Sequence, residues 1–137
     1  MLLIELFNTI EKNINLGKTL KECMTLLQDY NRVDYLQYVS KNIKKYNRHT
    51  VYKNDRIELV IITWTKGQSS GFHSHPGECI FKVLENQMSE IIKKDESIFE
   101  SNIYHIGDIG YIDNDIGIHN MTAIDDSVTL HLYSPPF

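Results

Sequence analysis

The chain has 137 residues, with 14 Lys+Arg against 18 Asp+Glu, a formal net charge of −4, 42% hydrophobic residues and 23% charged residues. This composition excludes a disordered chain, and the length suits one domain with a true core, so no metal or disulfide is needed merely to hold the fold. A mildly acidic chain without a basic stripe is not expected to bind nucleic acid, and the longest aliphatic run, Leu59–Ile62, is far short of the roughly 20 residues of a membrane helix.

Residues 1–47 carry apolar positions at helical spacing. Leu3, Leu6, Phe7, Ile10 and Ile14 form one stripe, Leu20, Cys23, Met24 and Leu27 a second, and Val33, Leu36, Val39, Ile43 and Tyr46 a third. Thr19-Leu20-Lys21-Glu22 reads as a capping box opening the second helix. Three short amphipathic helices packed on a sheet are expected. Glu5 interrupts the apolar start Met1–Ile4 and no basic residues precede it, so a signal peptide is not expected. The two cysteines, Cys23 and Cys79, are too few and too far apart for a disulfide framework, which points to a reducing cytoplasm.

From Thr50 the pattern changes to short runs rich in Ile, Val, Tyr and Thr between turn residues. Strands are expected at Ile57–Trp64, Phe72–His75, Cys79–Leu84, Gln87–Lys93, Ser97–Tyr104, Gly110–Asp113, Gly117–Ile124 and Val128–Tyr133, with Lys94-Asp95-Glu96 and Asp125-Asp126 as hairpin turns. Many short strands without intervening helices indicate an antiparallel barrel or sandwich over residues 50–137, with the helical segment as a subdomain on it.

Three groups of residues carry chemistry. His73-Ser74-His75 places two imidazoles on one side if the segment is a strand, a natural ligand pair for a borderline divalent metal; an isolated pair of this kind also occurs as surface decoration. Gly67 precedes His73 with five residues between, and a later strand offers His119. The last strand alternates cleanly, with Val128, Leu130 and Leu132 on one face and Thr129, His131 and Tyr133 on the other. The polar row suits either solvent or a polar interior site, and periodicity does not choose between them.

The spacing of Gly67 and His73-Ser74-His75 is the first half of the cupin signature. The stretch Gly110–His119, then Leu130-His131-Leu132-Tyr133-Ser134-Pro135-Pro136-Phe137, together with Trp64, Cys79 and Lys82-Val83-Leu84, resembles the cysteine dioxygenase family of thiol dioxygenases. The resemblance spans nearly the whole chain. It implies a mainly β cupin-type barrel (jelly roll) and one iron(II) per chain held by His73, His75 and His119 without a carboxylate ligand. Three neutral imidazoles leave the full 2+ charge to take an anionic thiolate and dioxygen, giving a sulfinate.

By the same resemblance Tyr133 and Cys79 match a pair that forms a thioether crosslink beside the iron in some members, and His131 and Thr129 match a row that orients Tyr133. Cys79 reads equally well as a small buried hydrophobe. Glu78, in the place next to the cysteine, is expected to face solvent in a turn. The family holds the substrate carboxylate with an arginine near the first barrel strand, beside a tyrosine. Matching Val51-Tyr52-Lys53-Asn54 to that motif puts Lys53 at the arginine, with Tyr52 or Arg56 compensating, and Trp64 and Thr129 completing the substrate-binding set. The family usually continues past the Ser134–Phe137 motif with strands that help close the pocket. The expected activity is oxidation of L-cysteine by O2 to cysteine sulfinate, the alternatives being another small thiol (3-mercaptopropionate or cysteamine) or a non-catalytic metal-binding thiol sensor.

Overall fold

The computed structural model describes residues 1–137. Its elements are α1 (Leu3–Asn15), a 3-10 turn (Lys21–Cys23), α2 (Met24–Asp29), a second 3-10 turn (Asp34–Tyr38), and the strands β1 (Asn47–Lys53), β2 (Glu58–Trp64), β3 (Glu78–Glu85), β4 (Met88–Lys94), β5 (Ser97–Tyr104), β6 (Ile109–Asp113), β7 (Ile118–Ala123) and β8 (Ser127–Ser134). The strands form two sheets, one of five strands in the order β1-β2-β8-β3-β6 and one of three in the order β5-β4-β7, with every pairing antiparallel. Their facing sides enclose a jelly-roll interior.

The period-2 alternation of a strand explains how one sheet serves two layers. On β2 and β8, Leu59, Ile61, Val128, Leu130 and Leu132 turn outward onto the helices and join Leu3, Leu6, Phe7, Ile10, Leu20 and Leu27 in one apolar cluster. The opposite faces contribute Val60, Ile62, Trp64 and Tyr133 to a second cluster between the sheets, where Phe81 of β3 and Met88, Ile92 and Met121 meet them. Burial on both faces is why β2 reads as an unbroken apolar run instead of an alternating one. It also decides the orientation of the polar row: Thr129, His131 and Tyr133 are buried in the interior between the sheets.

The helical layer follows the sequence for its first two stripes. Leu3, Leu6, Phe7 and Ile10 are the buried face of α1. The Thr19–Glu22 box is present, with the Thr19 N–H donating to Glu22 Oε1 at 3.1 Å and the Glu22 N–H donating to Thr19 Oγ1 at 3.3 Å. The third helix is not. Only the Asp34–Tyr38 turn forms, and Val33, Leu36 and Ile43 are exposed. The chain here must travel from the helical layer to the sheet edge, and an extended backbone covers about 3.3 Å per residue where a helix covers about 1.5 Å. Thr63 Oγ1 accepts the Ser40 N–H along that path, at 3.1 Å.

Three further expectations are corrected. Asn47–Lys53 is a strand, β1, which the pattern did not reveal because an edge strand in contact with solvent lacks an apolar alternation. Phe72–His75 is not a strand; it is irregular chain carrying a single bridge, His73 to His119. Glu78 does not simply face solvent: its carboxylate accepts the N–H groups of Leu20 and Lys21 at 3.0 and 3.2 Å and the Tyr111 hydroxyl at 2.9 Å. A carboxylate at the start of a helical segment satisfies N–H groups that have no internal partner, so Glu78 ties the helical layer to β3.

Phe81 of β3 lies across the interior against His131 and Tyr104, with ring centroids 5.5 and 4.9 Å away. Its neighbour on β6 is Gly110, where an added Cβ would lie 2.2 Å from Phe81 Cζ. Gly110→Ala is therefore expected to displace a wholly buried ring and to destabilise the fold by about 1–3 kcal/mol, as overpacking does. The check is the midpoint of urea unfolding, and an unchanged midpoint contradicts the packing described.

Candidate metal centre

His73, His75 and His119 converge at one end of the barrel. Their ring centroids are 4.5 Å (His73–His119), 4.8 Å (His73–His75) and 4.9 Å (His75–His119) apart, and one nitrogen from each lies within 4.8 Å of the others. Backbone bonds set this meeting. The His73 N–H donates to the His119 carbonyl at 3.0 Å and the His119 N–H to the His73 carbonyl at 3.1 Å. Ahead of that bridge the loop runs along the free edge of β7, with the Gly67 N–H on the Ala123 carbonyl and the Ser70 N–H on the Met121 carbonyl. Gly67 itself has φ +87°, a left-handed conformation suited to glycine, which gives the first position of the sequence signature its reason.

The rings are committed in a way that suits a cation. His73 Nδ1 faces the Gly71 carbonyl at 2.9 Å, and His119 Nδ1 faces Glu90 Oε2 at 2.7 Å. A carbonyl and a carboxylate only accept, so in both rings Nδ1 carries the proton and Nε2 is left with a lone pair. The two Nε2 atoms stand 3.0 Å apart. With both rings neutral the two lone pairs make no hydrogen bond with each other, and a divalent cation satisfies both. His75, nearly wholly buried, has an Nδ1 without a partner. Three neutral nitrogen donors are the set that borderline divalent metals such as iron(II) or zinc prefer, and the residues present fit such an ion.

Burial favours the neutral form of His73, His75 and His131. Burial, then the neighbouring His119 and His73, pushes His75 down to about 3. Burial likewise lowers His73, opposed by its Gly71 bond and assisted by His119. His131, fully enclosed, is held well below its ordinary value, first by burial and then by His119, Arg48 and the other histidines.

Around the histidines is a cavity of about 190 Å³ whose lining includes Arg48, Trp64, His131, Tyr133 and Phe137. That is smaller than the roughly 300–1,000 Å³ of drug-sized pockets and suits a ligand of few atoms. His131 stacks on Tyr133 at 5.8 Å, and Tyr133 on His75 at 5.8 Å. Thr129 Oγ1 accepts the Trp64 indole N–H at 2.9 Å and lies 2.8 Å from His131 Nε2, so it positions both without lining the cavity itself. Cys79 is buried, directly opposite Tyr133 in the β3–β8 register, with its sulfur 3.9 Å from His131 Nδ1. Burial holds the Cys79 thiol and the Tyr133 phenol above their ordinary values.

Lys53, Tyr52 and Arg56 are not brought to this cavity. Lys53 and Arg56 are exposed, and Tyr52 packs on Phe7 at 5.5 Å in the helical layer. The cation at the cavity is Arg48 of β1, which lies opposite Ile62 and places its guanidinium carbon 5.2 Å from the Tyr133 ring. Its Nη1 and Nη2 reach Glu58 at 3.2 and 3.3 Å, and Nη2 also donates to the Phe137 carbonyl at 2.9 Å. Burial raises Glu58, but its bonds to Arg48, Thr50 and the Phe137 N–H hold it below the ordinary carboxylate range. Tyr46, two residues before Arg48, stacks on Trp64 at 4.7 Å. The signal missed in the sequence is the pair Tyr46 and Arg48, an arginine beside a tyrosine at strand spacing.

These burials predict an acid weakness. The unfolded chain takes up a proton at each histidine near about pH 6.5, whereas folded His75 does so only at about 3. Between those values the unfolded state holds more protons, so stability falls as pH is lowered. With a metal chelator present, the urea midpoint is expected to drop between about pH 7 and pH 5. A midpoint flat across that range contradicts the neutral, buried imidazoles.

The family model for cysteine dioxygenase type I matches residues 2–137. Cysteine dioxygenase type 1 of Rattus norvegicus is 30% identical over 155 aligned residues, covering 99% of this chain and 72% of the rat protein. The Homo sapiens protein of the same name is 27% identical, covering 85% of this chain and 66% of its own length. Among solved structures, an RmlC-like cupin from Desulfovibrio desulfuricans superposes with a TM-score of 0.64 at 20% identity over 79% of this chain and 99% of that one. A cupin superfamily protein from Desulfitobacterium hafniense gives 0.65 at 9% identity over 77% and 92%. The fold is thus a cupin with short N-terminal helices, and the chain belongs to the cysteine dioxygenase type I family.

Proposed function

We propose that the protein is an iron(II)-dependent thiol dioxygenase whose substrate is a small thiol bearing a carboxylate, L-cysteine first among them. The observation that supports it most directly is the pair of Nε2 lone pairs 3.0 Å apart at a histidine trio, inside a cavity that also presents a guanidinium. Iron(II) bound by His73, His75 and His119 supplies the redox chemistry that joins both atoms of O2 to the thiol sulfur, so that RSH + O2 gives RSO2H.

The chain's own residues bind, orient and enclose. Arg48, oriented by Glu58 and Thr50, already holds a carbonyl oxygen at 2.9 Å, and the same donor edge suits a substrate carboxylate. His131, fixed by Thr129, keeps the Tyr133 ring in place, and the Tyr133 phenol, kept protonated by its burial, is a donor beside the histidines. The apolar walls of Trp64, Ile62 and Met121 limit water in the cavity. The two free, buried cysteines accord with a reducing cytoplasm. A non-catalytic thiol sensor uses the same binding groups, and turnover separates the two readings.

The register facing of Cys79 and Tyr133 supports a thioether between the cysteine sulfur and the tyrosine ring, formed with loss of two hydrogens to an oxidant such as O2 at the iron. Tryptic digestion of protein turned over aerobically is expected to give a linked peptide pair lighter by two hydrogens; two separate unmodified peptides alone reject the bond.

For the activity itself, iron-loaded protein is expected to consume O2 with L-cysteine or 3-mercaptopropionate. No uptake with these thiols or with cysteamine rejects turnover. Arg48→Lys keeps the charge beside Glu58 but loses the planar fork, and is expected to raise KM for the carboxylate-bearing thiols about 10-fold or more while leaving cysteamine within about twofold. Equal effects on all three thiols would remove Arg48 from carboxylate binding.

A further inference from the structure

Behind His119, on the side away from the cavity, lies a carboxylate whose part in the site is not evident from the sequence. Glu90 of β4 is completely buried. Its Oε2 accepts the His119 Nδ1–H at 2.7 Å, and its Oε1 accepts the Tyr104 hydroxyl at 2.8 Å and an Asn102 amide N–H at 3.1 Å. Only His119 among the three partners is able to carry a charge, and no lysine or arginine pairs with the carboxylate. A buried anion without a counter-charge is costly. The neighbouring place where a positive charge is called for is the meeting point of the three histidines.

The other two rings have no such support. His73 is backed by a neutral carbonyl, and His75 Nδ1 by no polar atom. The site is therefore asymmetric: one ring of three is joined to an anion through its own N–H. A carboxylate in this place fixes the tautomer and orientation of the ring and makes its outer nitrogen a stronger donor.

We infer that Glu90 is a positioning residue that also sets the charge of the metal centre, placing one negative charge behind His119 so that a divalent cation held by the trio stands at net +1 in place of +2. The inference rests on the three-histidine metal reading. It means that the carboxylate missing from the ligand set is present one bond further out. Tyr104 and Asn102, reaching over from β5, hold the carboxylate still. A centre at +1 is neutralised by one thiolate, whereas a centre at +2 would keep attracting further anions.

Cobalt(II) and azide are the probes. Glu90→Gln keeps the shape and an acceptor oxygen for the His119 N–H and removes only the charge. It is expected to weaken cobalt(II) binding about 10- to 100-fold, read by competition with a chromophoric chelator. At the same time the cobalt-loaded variant is expected to bind azide about threefold tighter or more, because the anion no longer meets a nearby negative charge. Opposite shifts for cation and anion are not what a merely structural role produces. Tyr104→Phe, which keeps the charge and loosens its support, is expected to weaken cobalt(II) about threefold and leave azide unchanged. Cobalt(II) binding by the native protein with unchanged cobalt and azide affinities in E90Q overturns this inference alone. If E90Q does not fold, an unchanged cobalt affinity in Y104F overturns it. If the native protein itself fails to hold cobalt(II), the metal reading falls and this inference with it.

Discussion

Strand β8 lies between β2 and β3, and neither of its faces meets water. That burial is the constraint on which the rest depends. Successive side chains must serve two different interiors, so Leu130 and Leu132 secure the helical layer while Thr129, His131 and Tyr133 furnish the cavity. Each polar member of the inward row then needs a partner in the same interior. Thr129 finds Trp64 and His131, His131 lies between Phe81 and Tyr133, and Tyr133 packs beneath the Arg48 guanidinium. The cavity is ordered because its walls have satisfied one another.

Charge is handled by the same economy. Two buried carboxylates frame the site, and each is oriented by a hydroxyl as well as by its main partner. Glu58 forks onto Arg48 with Thr50 beside it, at one end of the cavity; Glu90 holds His119 with Tyr104 beside it, at the other. The first pair is nearly self-neutralising. The second holds no lysine or arginine, so the charge that balances it must come from the histidine side, at His119 or at a cation beside it. A third buried ion, Lys82, caps the helical layer by donating to the carbonyls of Leu27, Gln28 and Tyr30, a use of the helix C-terminus that needs no acidic partner.

Much of this was legible in the chain. The alternation of β8 and the first two helices follow from spacing, because periodicity of 2 or 3.6 is imposed by burial; the histidine trio is read from the family resemblance of its motifs, and the side on which the polar row of β8 stands is fixed only by the fold. What escaped is equally physical. β1 is an edge strand with one polar, half-exposed pattern, so its period is faint and the cavity arginine was assigned to Lys53, five residues after Arg48. The third stripe, Val33 to Tyr46, has helical spacing but spans a crossing between layers that a helix is too short to make. Glu90 stands in an ordinary alternating strand, and only the pairing of β4 with β7, two residues out of step with His119, shows what it faces.

The connection between β7 and β8 bears on which way the last strand can face. It is three residues long, Ile124 to Asp126, and is held at several points: Asp126 takes the Lys66 N–H at 2.8 Å and Lys41 at 2.7 Å, while the Ile124 N–H reaches the Gln87 carbonyl. A shift of β8 by a single residue against β2 and β3 would exchange its two faces, sending leucines into the cavity and the imidazole and phenol into the helical layer. The short, pinned connection from β7 into β8 therefore does more than join two sheets: it helps hold His131 and Tyr133 on the side of the strand that faces the histidines.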